Sequence, residues 1–205
     1  MATHRNWFEG WRLFAMLLLA LVALSIWIAG MRQFEVDGVR MVIRFTARTS
    51  LVLFCLAFSA AALARLWPNG WTRWLRRNRR YLGVTFAASH GIHAIAIACF
   101  AAMDPVGYAA ATSIASYIFG GIGYAFIFAM TATSFDRTAA LLGARAWRIL
   151  HLTGGYYLLF QFMVSFGKRI PDMPLYALFL IPLVAVFALR MIAMAPRAQA
   201  TVRTG

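Results

Sequence analysis

Long apolar stretches alternate with short polar segments along the chain. A helix needs about 20 predominantly apolar residues to cross the hydrocarbon core of a bilayer. Stretches of that length lie near residues 12–30, 44–65, 80–103, 108–132, 147–166 and 174–194. Because the intervening segments are too short for a soluble domain, the pattern predicts an all-α, polytopic membrane protein. We expect one six-transmembrane-helix bundle over residues 1–205, with the lipid bilayer as its surroundings.

The segment between the second and third stretches has a different composition. Residues 66–75 combine Pro68, Asn69 and Gly70 with two tryptophans. Turn-forming residues together with tryptophan are typical of the membrane–water interface. This composition predicts a turn that lies on the membrane surface.

The overall composition agrees with a membrane protein, since 62% of the residues are hydrophobic and 13% are charged. A formal net charge of +14 would suggest nucleic-acid binding in a soluble protein. Here the cations lie in short segments beside the apolar stretches, where they act as topology signals. We therefore predict no nucleic-acid partner.

The cations are divided unequally between the two sides of the predicted bundle. One side carries 14 of them, namely Arg5, Arg12, Arg65, Arg73, Arg76, Arg77, Arg79, Arg80, Arg137, Arg145, Arg148, Arg190, Arg197 and Arg203. The other side carries 6, namely Arg32, Arg40, Arg44, Arg48, Lys168 and Arg169. Positively charged loops stay in the cytoplasm, so both termini are predicted to be cytoplasmic.

Histidines are the candidate functional residues inside the membrane. His90 and His93 are three positions apart in the third stretch, which places them on nearly one helix face with an offset of about 4.5 Å. An ionisable residue in a membrane helix usually faces the bundle interior and marks a cofactor, an ion path or a proton relay. The alternative for each is a histidine that is hydrogen-bonded to a neighbouring helix. His151 lies nearer the interface, and His4 belongs to the N-terminal arm.

Several kinds of chemistry are not indicated. Cys55 and Cys99 both lie in apolar stretches without a C-x-x-C spacing, so neither a disulfide framework nor a zinc site is predicted. The chain has no paired carboxylates, no nucleophile with a neighbouring base and no phosphate-binding loop. Hydrolysis and phosphoryl transfer are therefore not expected.

Short motifs in four of the stretches resemble the ferric-reductase-like transmembrane domain family, and most closely its branch of haem-binding subunits of bacterial periplasmic methionine sulfoxide reductase systems. They are Phe45-Thr46-Ala47-Arg48-Thr49-Ser50-Leu51 with the closing Ala64-Arg65, Arg79-Arg80-Tyr81-Leu82-Gly83 leading to His93, Trp147-Arg148-Ile149-Leu150-His151, and Pro174-Leu175-Tyr176-Ala177. The similarity covers roughly residues 45–190 in the order of the family.

This resemblance implies a function. Members of the family hold b-type haem between helices through histidines and pass electrons across the membrane. On the matching positions, His93 and His151 are the expected iron ligands, and His90 and Arg48 are further cofactor-binding residues. The chain would relay electrons from a quinol or flavoprotein to an acceptor in the bacterial inner membrane, together with a separate reductase or acceptor protein. Quinone and FMN stay open as additional cofactors.

One departure from the family pattern limits the expected haem count. The family usually carries a further histidine thirteen residues after the one that matches His151, and this chain has Val164 there. By helix rise, His93 lies roughly 20 Å in from Arg80 and His151 about 5 Å in from Arg148. The two are therefore not expected to share one iron, and one haem is expected in total.

Three arrangements stay open for the iron. Met163 or Gln161 replaces the missing ligand, the iron on His93 is five-coordinate, or His90 acts opposite His151. A divergent relative without haem, acting as a membrane scaffold or a small-molecule transporter, is the alternative function.

Arginines at the start of the second stretch form a ridge. Arg40, Arg44 and Arg48 follow one another at a spacing of four residues, which places them on one side of a helix. Guanidinium groups match carboxylates, so the ridge is suited to haem propionates or an acidic partner. The alternative is that these side chains extend to the membrane interface.

Overall fold

The computed structural model describes residues 8–195, and every regular element in that range is helical. The elements are α1 (Gly10–Gly30), α2 (Val36–Leu66), α3 (Gly70–Met103), α4 (Pro105–Ala111), α5 (Ile114–Ala132), α6 (Asp136–Leu142), α7 (Ala144–Gly167), a 3₁₀ turn (Pro174–Tyr176) and α8 (Ala177–Met194). His4, Arg5, Arg197 and Arg203 lie outside the described residues.

The prediction of six membrane helices is confirmed. Helices α1, α2, α3, α5 and α7, and the segment Pro174–Met194 that contains α8, are long and apolar enough to cross a bilayer. The chain is therefore a multi-pass membrane protein with an all-α, six-helix architecture. Short helices α4 and α6 connect α3 to α5 and α5 to α7.

The second and third membrane helices are longer than the apolar stretches predicted. Helix α2 begins at Val36 instead of residue 44, and α3 begins at Gly70 instead of residue 80. Asn69 starts α3, because its side chain accepts a hydrogen bond from the Thr72 N–H (2.9 Å) while the Thr72 hydroxyl accepts one from the Asn69 N–H (3.0 Å). This reciprocal cap begins a helix. The prediction of a surface turn over residues 66–75 is therefore wrong beyond Asn69.

The fourth predicted stretch is divided in two. Asp104 caps α4 by accepting from the Gly107 N–H at 2.8 Å, and Ser113 caps α5 by accepting from the Ser116 N–H at 3.2 Å. Thr112 between them has extended backbone. Helix α4 has no buried residue, so it lies at the periphery of the bundle.

Helix α2 is central to the packing and contacts α1, α3 and α8, while α5 pairs with α7. An aromatic cluster fills the interior where α2, α3 and α7 meet, and it contains Phe54, Phe58, Phe86 and Phe162. The ring of Phe54 lies 5.2 to 5.7 Å from the other three. These rings exclude lipid and water from the bundle interior.

Hydroxyl groups join α2 to α3 within the membrane. Thr46, Ser50 and Ser89 have no exposed surface. Ser50 donates to Ser89 Oγ at 2.9 Å, and the Thr49 hydroxyl lies 3.2 Å from the same atom. We call these four residues the hydroxyl seam. Such side chains hydrogen-bond across membrane helices and fix how they pack.

Two adjacent glycines allow α7 to approach its neighbours. A Cβ atom at Gly154 would lie 2.6 Å from Sδ of Met130, and one at Gly155 would overlap the ring of Phe58. Gly154 and Gly155 are both buried. Small residues at helix interfaces allow close packing in membranes, and here they let Met130 of α5 and the ring of Phe58 of α2 pack directly against the backbone of α7.

We predict that Gly155→Ala destabilises the bundle by about 1–3 kcal/mol, because the added methyl group would displace Phe58 from a filled interior. Gly91→Ala is the matched control, since nothing lies within 4 Å of a Cβ at that helical position. Thermal unfolding in detergent micelles measures both. Equal melting temperatures for the two variants would contradict this account.

Candidate functional site

A cavity of about 590 Å³ lies between α2, α3, α5 and α7, and we call it the His93 cavity. His90 and His93 of α3 line it together with Arg48 of α2. Three of the residues predicted from the sequence as cofactor-binding are thus brought to one cavity. Its volume is within the range of about 300–1,000 Å³ that is usual for small-molecule and cofactor sites.

Hydrogen bonds to α2 orient the imidazole of His93. Its Nδ1 lies 3.1 Å from the carbonyl oxygen of Ile43 and 3.0 Å from Oγ1 of Thr46. The Thr46 hydroxyl donates its own hydrogen to the Val42 carbonyl at 2.7 Å, so its oxygen acts as acceptor toward His93. Both contacts place the proton on Nδ1 and leave the lone pair on Nε2. Metal-binding histidines are held in this way.

His90 is surrounded by aromatic rings. Its ring centroid lies 5.3 Å from that of His93, 5.2 Å from Phe86, 5.5 Å from Tyr124 and 5.8 Å from Phe162. Within the part of the chain that the structure describes, the buried Nδ1 atom of His90 has no hydrogen-bond partner. Buried polar atoms are nearly always satisfied, so this atom indicates a bound water or ligand.

Five cations line one end of the His93 cavity. They are Arg40, Arg44 and Arg48 in the first half of α2, and Lys168 and Arg169 just after α7. No Asp or Glu is among the described residues that line the cavity, and the two ion pairs within residues 8–195 involve other arginines. The guanidinium of Arg48 lies over the rings of Tyr176 and Phe179, at 5.9 and 5.4 Å. This end of the cavity is therefore suited to carboxylate or phosphate groups.

The wall opposite α3 is formed by α5 and α7. Gly120 and Gly121 line the cavity, and no atom lies within 4 Å of a Cβ built at either position. Gln161 and Ser165 line it from α7. A flat ligand would therefore find open space along α5.

Residue 164 does not belong to this wall. Val164 is 45% exposed and does not line the cavity, while the neighbouring Met163 packs against the hydrophobic core. Position 164, where the family pattern has its further histidine, therefore does not face His93 in this chain, because the rotation of α7 turns it outward. Of the two replacements considered, Gln161 faces the cavity and Met163 does not.

His151 lines a second cavity of about 350 Å³, which we call the His151 cavity. Its Nε2 lies 3.1 Å from Oγ1 of Thr133, whose hydroxyl donates to the Ala129 carbonyl at 2.7 Å. The proton is therefore on Nε2, and this nitrogen is already hydrogen-bonded. The imidazole also stacks on Trp147 with the ring centroids 4.2 Å apart.

The His151 cavity lies at the opposite end of the bundle from the five cations. Arginines of α3 line it, namely Arg76, Arg77, Arg79 and Arg80. Arg77 pairs with Glu9 at 2.9 Å, and Arg80 pairs with Asp136. The hydrogen bond from Arg80 lowers the pKa of the Asp136 carboxyl below its ordinary value, so this pair is charged at neutral pH and is lost only in acid.

The histidines are thus divided between two cavities. His90 and His93 share one and His151 lines the other, and the two cavities meet at Ile127 and Leu158. No single bound iron contacts both His93 and His151 in this arrangement, and His90 does not lie opposite His151.

Sequence reasoning missed some residues of the site. Thr46 was part of a motif without a role, and Tyr124 carried no separate signal. Thr46, Thr49 and Ser50 are hydroxyl residues within four positions of an apolar helix, and that clustering indicates the seam.

Within residues 8–195, no group of three or more His, Cys, Asp or Glu residues lies close enough to hold a metal ion on side chains alone. Iron in a porphyrin needs only one or two axial side chains, so this finding does not bear on haem. Comparison with protein-family models, with curated proteins and with solved structures finds no match to this chain.

We predict that Thr46→Val destabilises the protein by about 1 kcal/mol, because it removes a buried acceptor from the His93 imidazole. Thr46→Ser keeps the hydroxyl and should unfold near the wild-type temperature. Thermal unfolding in micelles provides the comparison. If Thr46→Ser loses as much stability as Thr46→Val, the methyl group of Thr46 matters and the hydrogen bond does not.

Proposed function

We propose that this protein is a haem-b-binding membrane subunit of the ferric-reductase-like type that relays electrons across the bilayer. The observation that carries the proposal is the orientation of His93, whose Nδ1 is bound to Ile43 and Thr46 while its Nε2 keeps a lone pair beside a large cavity. The order of motifs along the chain supports the same assignment.

The residues of the His93 cavity fit a haem. Haem is a flat, largely apolar molecule with two carboxylates at one edge, and it needs an axial nitrogen. The cavity offers the imidazole of His93, open space beside Gly120 and Gly121, and five cations at one end. Arg48 and its neighbours on α2 would hold the carboxylates, because guanidinium groups bind carboxylates with two hydrogen bonds.

Each part of the chain then has a separate task. When bound, the haem supplies one-electron iron chemistry. His93 holds the iron, and Ile43 and Thr46 fix the imidazole that does so. Phe162 and Leu158 line the cavity and exclude water from the bound group. No covalent attachment is proposed, since the chain has no C-x-x-C-H sequence.

We propose one haem per chain, in the His93 cavity. The Nε2 atom of His151 is bonded to Thr133, so ligation through this nitrogen would break that hydrogen bond, whereas Nε2 of His93 carries no such bond within residues 8–195. The arginines of the His151 cavity instead favour an anionic electron donor at that end, such as a quinol-linked or FMN-containing reductase. The donor and the final acceptor would be separate proteins or membrane quinol.

The proposed location is the bacterial inner membrane with both termini in the cytoplasm. The support is the division of Lys and Arg, with 14 on one side and 6 on the other. In this orientation the His151 cavity is at the cytoplasmic end and the five cations of the His93 cavity face the other side. Electrons would then travel from a donor at the His151 cavity, on the cytoplasmic side, toward the outer face.

The first test is the haem content of the purified protein. Wild type produced with ample haem should show a Soret band and a reduced spectrum with dithionite. We predict that His93→Ala loses most of this absorption, because it removes the imidazole that Ile43 and Thr46 orient beside the cavity. His151→Ala should retain the band with at most weakened haem retention.

The matched control is Thr133→Val, which removes the hydroxyl that holds His151 and leaves His93 untouched. A wild-type protein without a Soret band would contradict the proposal and favour a membrane scaffold or transporter. Unchanged haem content in His93→Ala would reject His93 as the ligand.

We also predict that a cytoplasmic reporter fused to the C-terminus is active and that a periplasmic reporter is not. The same pair of reporters placed in the segment between α1 and α2 should give the reverse result. Activity of the periplasmic reporter at the C-terminus would reverse the proposed orientation.

A further inference from the structure

We propose that the iron position opposite His93 has no protein ligand and binds small anions of the cyanide or azide type. This inference rests on the proposed function, since it concerns how the residues of the His93 cavity surround a bound haem. It adds a ligand-binding site to a protein otherwise proposed as an electron relay.

Both histidines that line the cavity lie on the same side of it. Two protein ligands of a haem iron would have to approach from opposite sides. The imidazoles that line the cavity, His90 and His93, both belong to α3 and lie on one face of it, with ring centroids 5.3 Å apart. His90 is therefore on the same side of the cavity as His93 and cannot complete the pair.

The wall opposite α3 is formed by residues of α5 and α7. Neither Met nor Cys is among the described residues that line the cavity. The wall across from α3 presents Gly120, Gly121, Gln161, Phe162 and Ser165, none of which is a strong iron ligand. This leaves one face of the iron open.

Four tyrosines and one lysine also line the cavity. Tyr108 and Tyr117 pack edge-on against each other with ring centroids 6.1 Å apart, and Tyr117 is 56% exposed, so this pair lies at the rim. Tyr124 donates to the carbonyl oxygen of His90 at 3.4 Å, on the α3 side. Tyr176 lies under Arg48 and Arg169, so it belongs to the cationic end together with Lys168.

Within the part of the chain that the structure describes, the charged residues that line the cavity are all cations. Five cations line one end of the cavity without a lining carboxylate, so they outnumber the two carboxylates of a bound haem and leave a positive potential there. A cleft lined by one sign of charge raises the local concentration and the association rate of oppositely charged ligands. The site should therefore favour an anion over a neutral molecule of similar size.

The test uses the purified, haem-loaded protein. We expect the oxidised protein to be high-spin, to bind azide and cyanide with a shift of the Soret band, and to bind carbon monoxide after reduction. Gln161→His should convert the spectrum to low spin and abolish azide binding, because its imidazole would reach the iron from α7. Ser165→His is the second variant of this kind, should Gln161→His fail to fold.

Val164→His is the matched control for these substitutions. It adds the same imidazole to the same helix, but on a side chain that faces away from the cavity. Its spectrum and azide affinity should match those of wild type. A low-spin spectrum in Val164→His would overturn the assigned orientation of α7 and with it this inference.

A second measurement isolates the charge. At low salt, Lys168→Glu should slow azide association by about tenfold, while the rate for neutral carbon monoxide should stay unchanged, because Lys168 lines the cavity but is not among the α2 arginines assigned to the haem carboxylates. Arg73→Glu makes the same charge change at the other end of the bundle and should alter neither rate. Added salt should reduce the difference between wild type and Lys168→Glu.

The outcomes separate this inference from the proposed function. A haem-loaded wild type that is low-spin and binds neither azide nor carbon monoxide overturns the open position and leaves the electron relay intact. Azide binding that is insensitive to Lys168→Glu and to salt overturns the preference for anions. A preparation without haem overturns the proposed function itself, and the open position with it.

Discussion

The hydroxyl seam between α2 and α3 is the constraint on which the site depends. Thr46, Ser50 and Ser89 are fully buried, and no water or lipid can satisfy their hydroxyl groups there. They are satisfied by carbonyls of their own helix or by one another, as with Thr46 and Val42 or Ser50 and Ser89. Each such bond contributes only about 0.6–2 kcal/mol in a membrane, so their main effect is on register. Sliding or rotating α3 against α2 would break the buried hydrogen bond between Ser50 and Ser89.

The fixed register determines what His93 can do. The imidazole lies at one end of the seam, and its Nδ1 completes the same set of hydrogen bonds through Thr46 and Ile43. The side of α3 that faces α2 is therefore rigid. The α5 side is open by contrast, because only Gly123 and Ile127 of α5 are buried. A cavity forms where a tightly joined pair of helices meets a loosely packed one.

Sequence reasoning predicted the six membrane helices and placed His90 and His93 on one helix face. Both follow from the local sequence alone, namely from hydropathy and from a spacing of three residues. It did not predict the early start of α3, which depends on the Asn69–Thr72 cap, or the break at Thr112. The rise per residue specifies how far along α7 residue 164 lies, but not which way its side chain points. The apolar residues of α7 are distributed around nearly the whole helix. Its sequence therefore has no clear polar face that would indicate how the helix is rotated.

The charges at the two ends of the bundle show why a count of arginines is a poor guide to the site. The side with more cations has acids in contact with two of them, in the pairs Arg77–Glu9 and Arg80–Asp136, and those pairs attach α1 and α6 to α3. The side with fewer cations directs five of them toward one cavity without a lining carboxylate. A cation already paired with an acid contributes little field at a distance, whereas grouped cations without an adjacent carboxylate beside a low-dielectric interior attract an anion more strongly. The number of arginines on a side therefore marks topology, while their pairing decides how strongly each group attracts an anion.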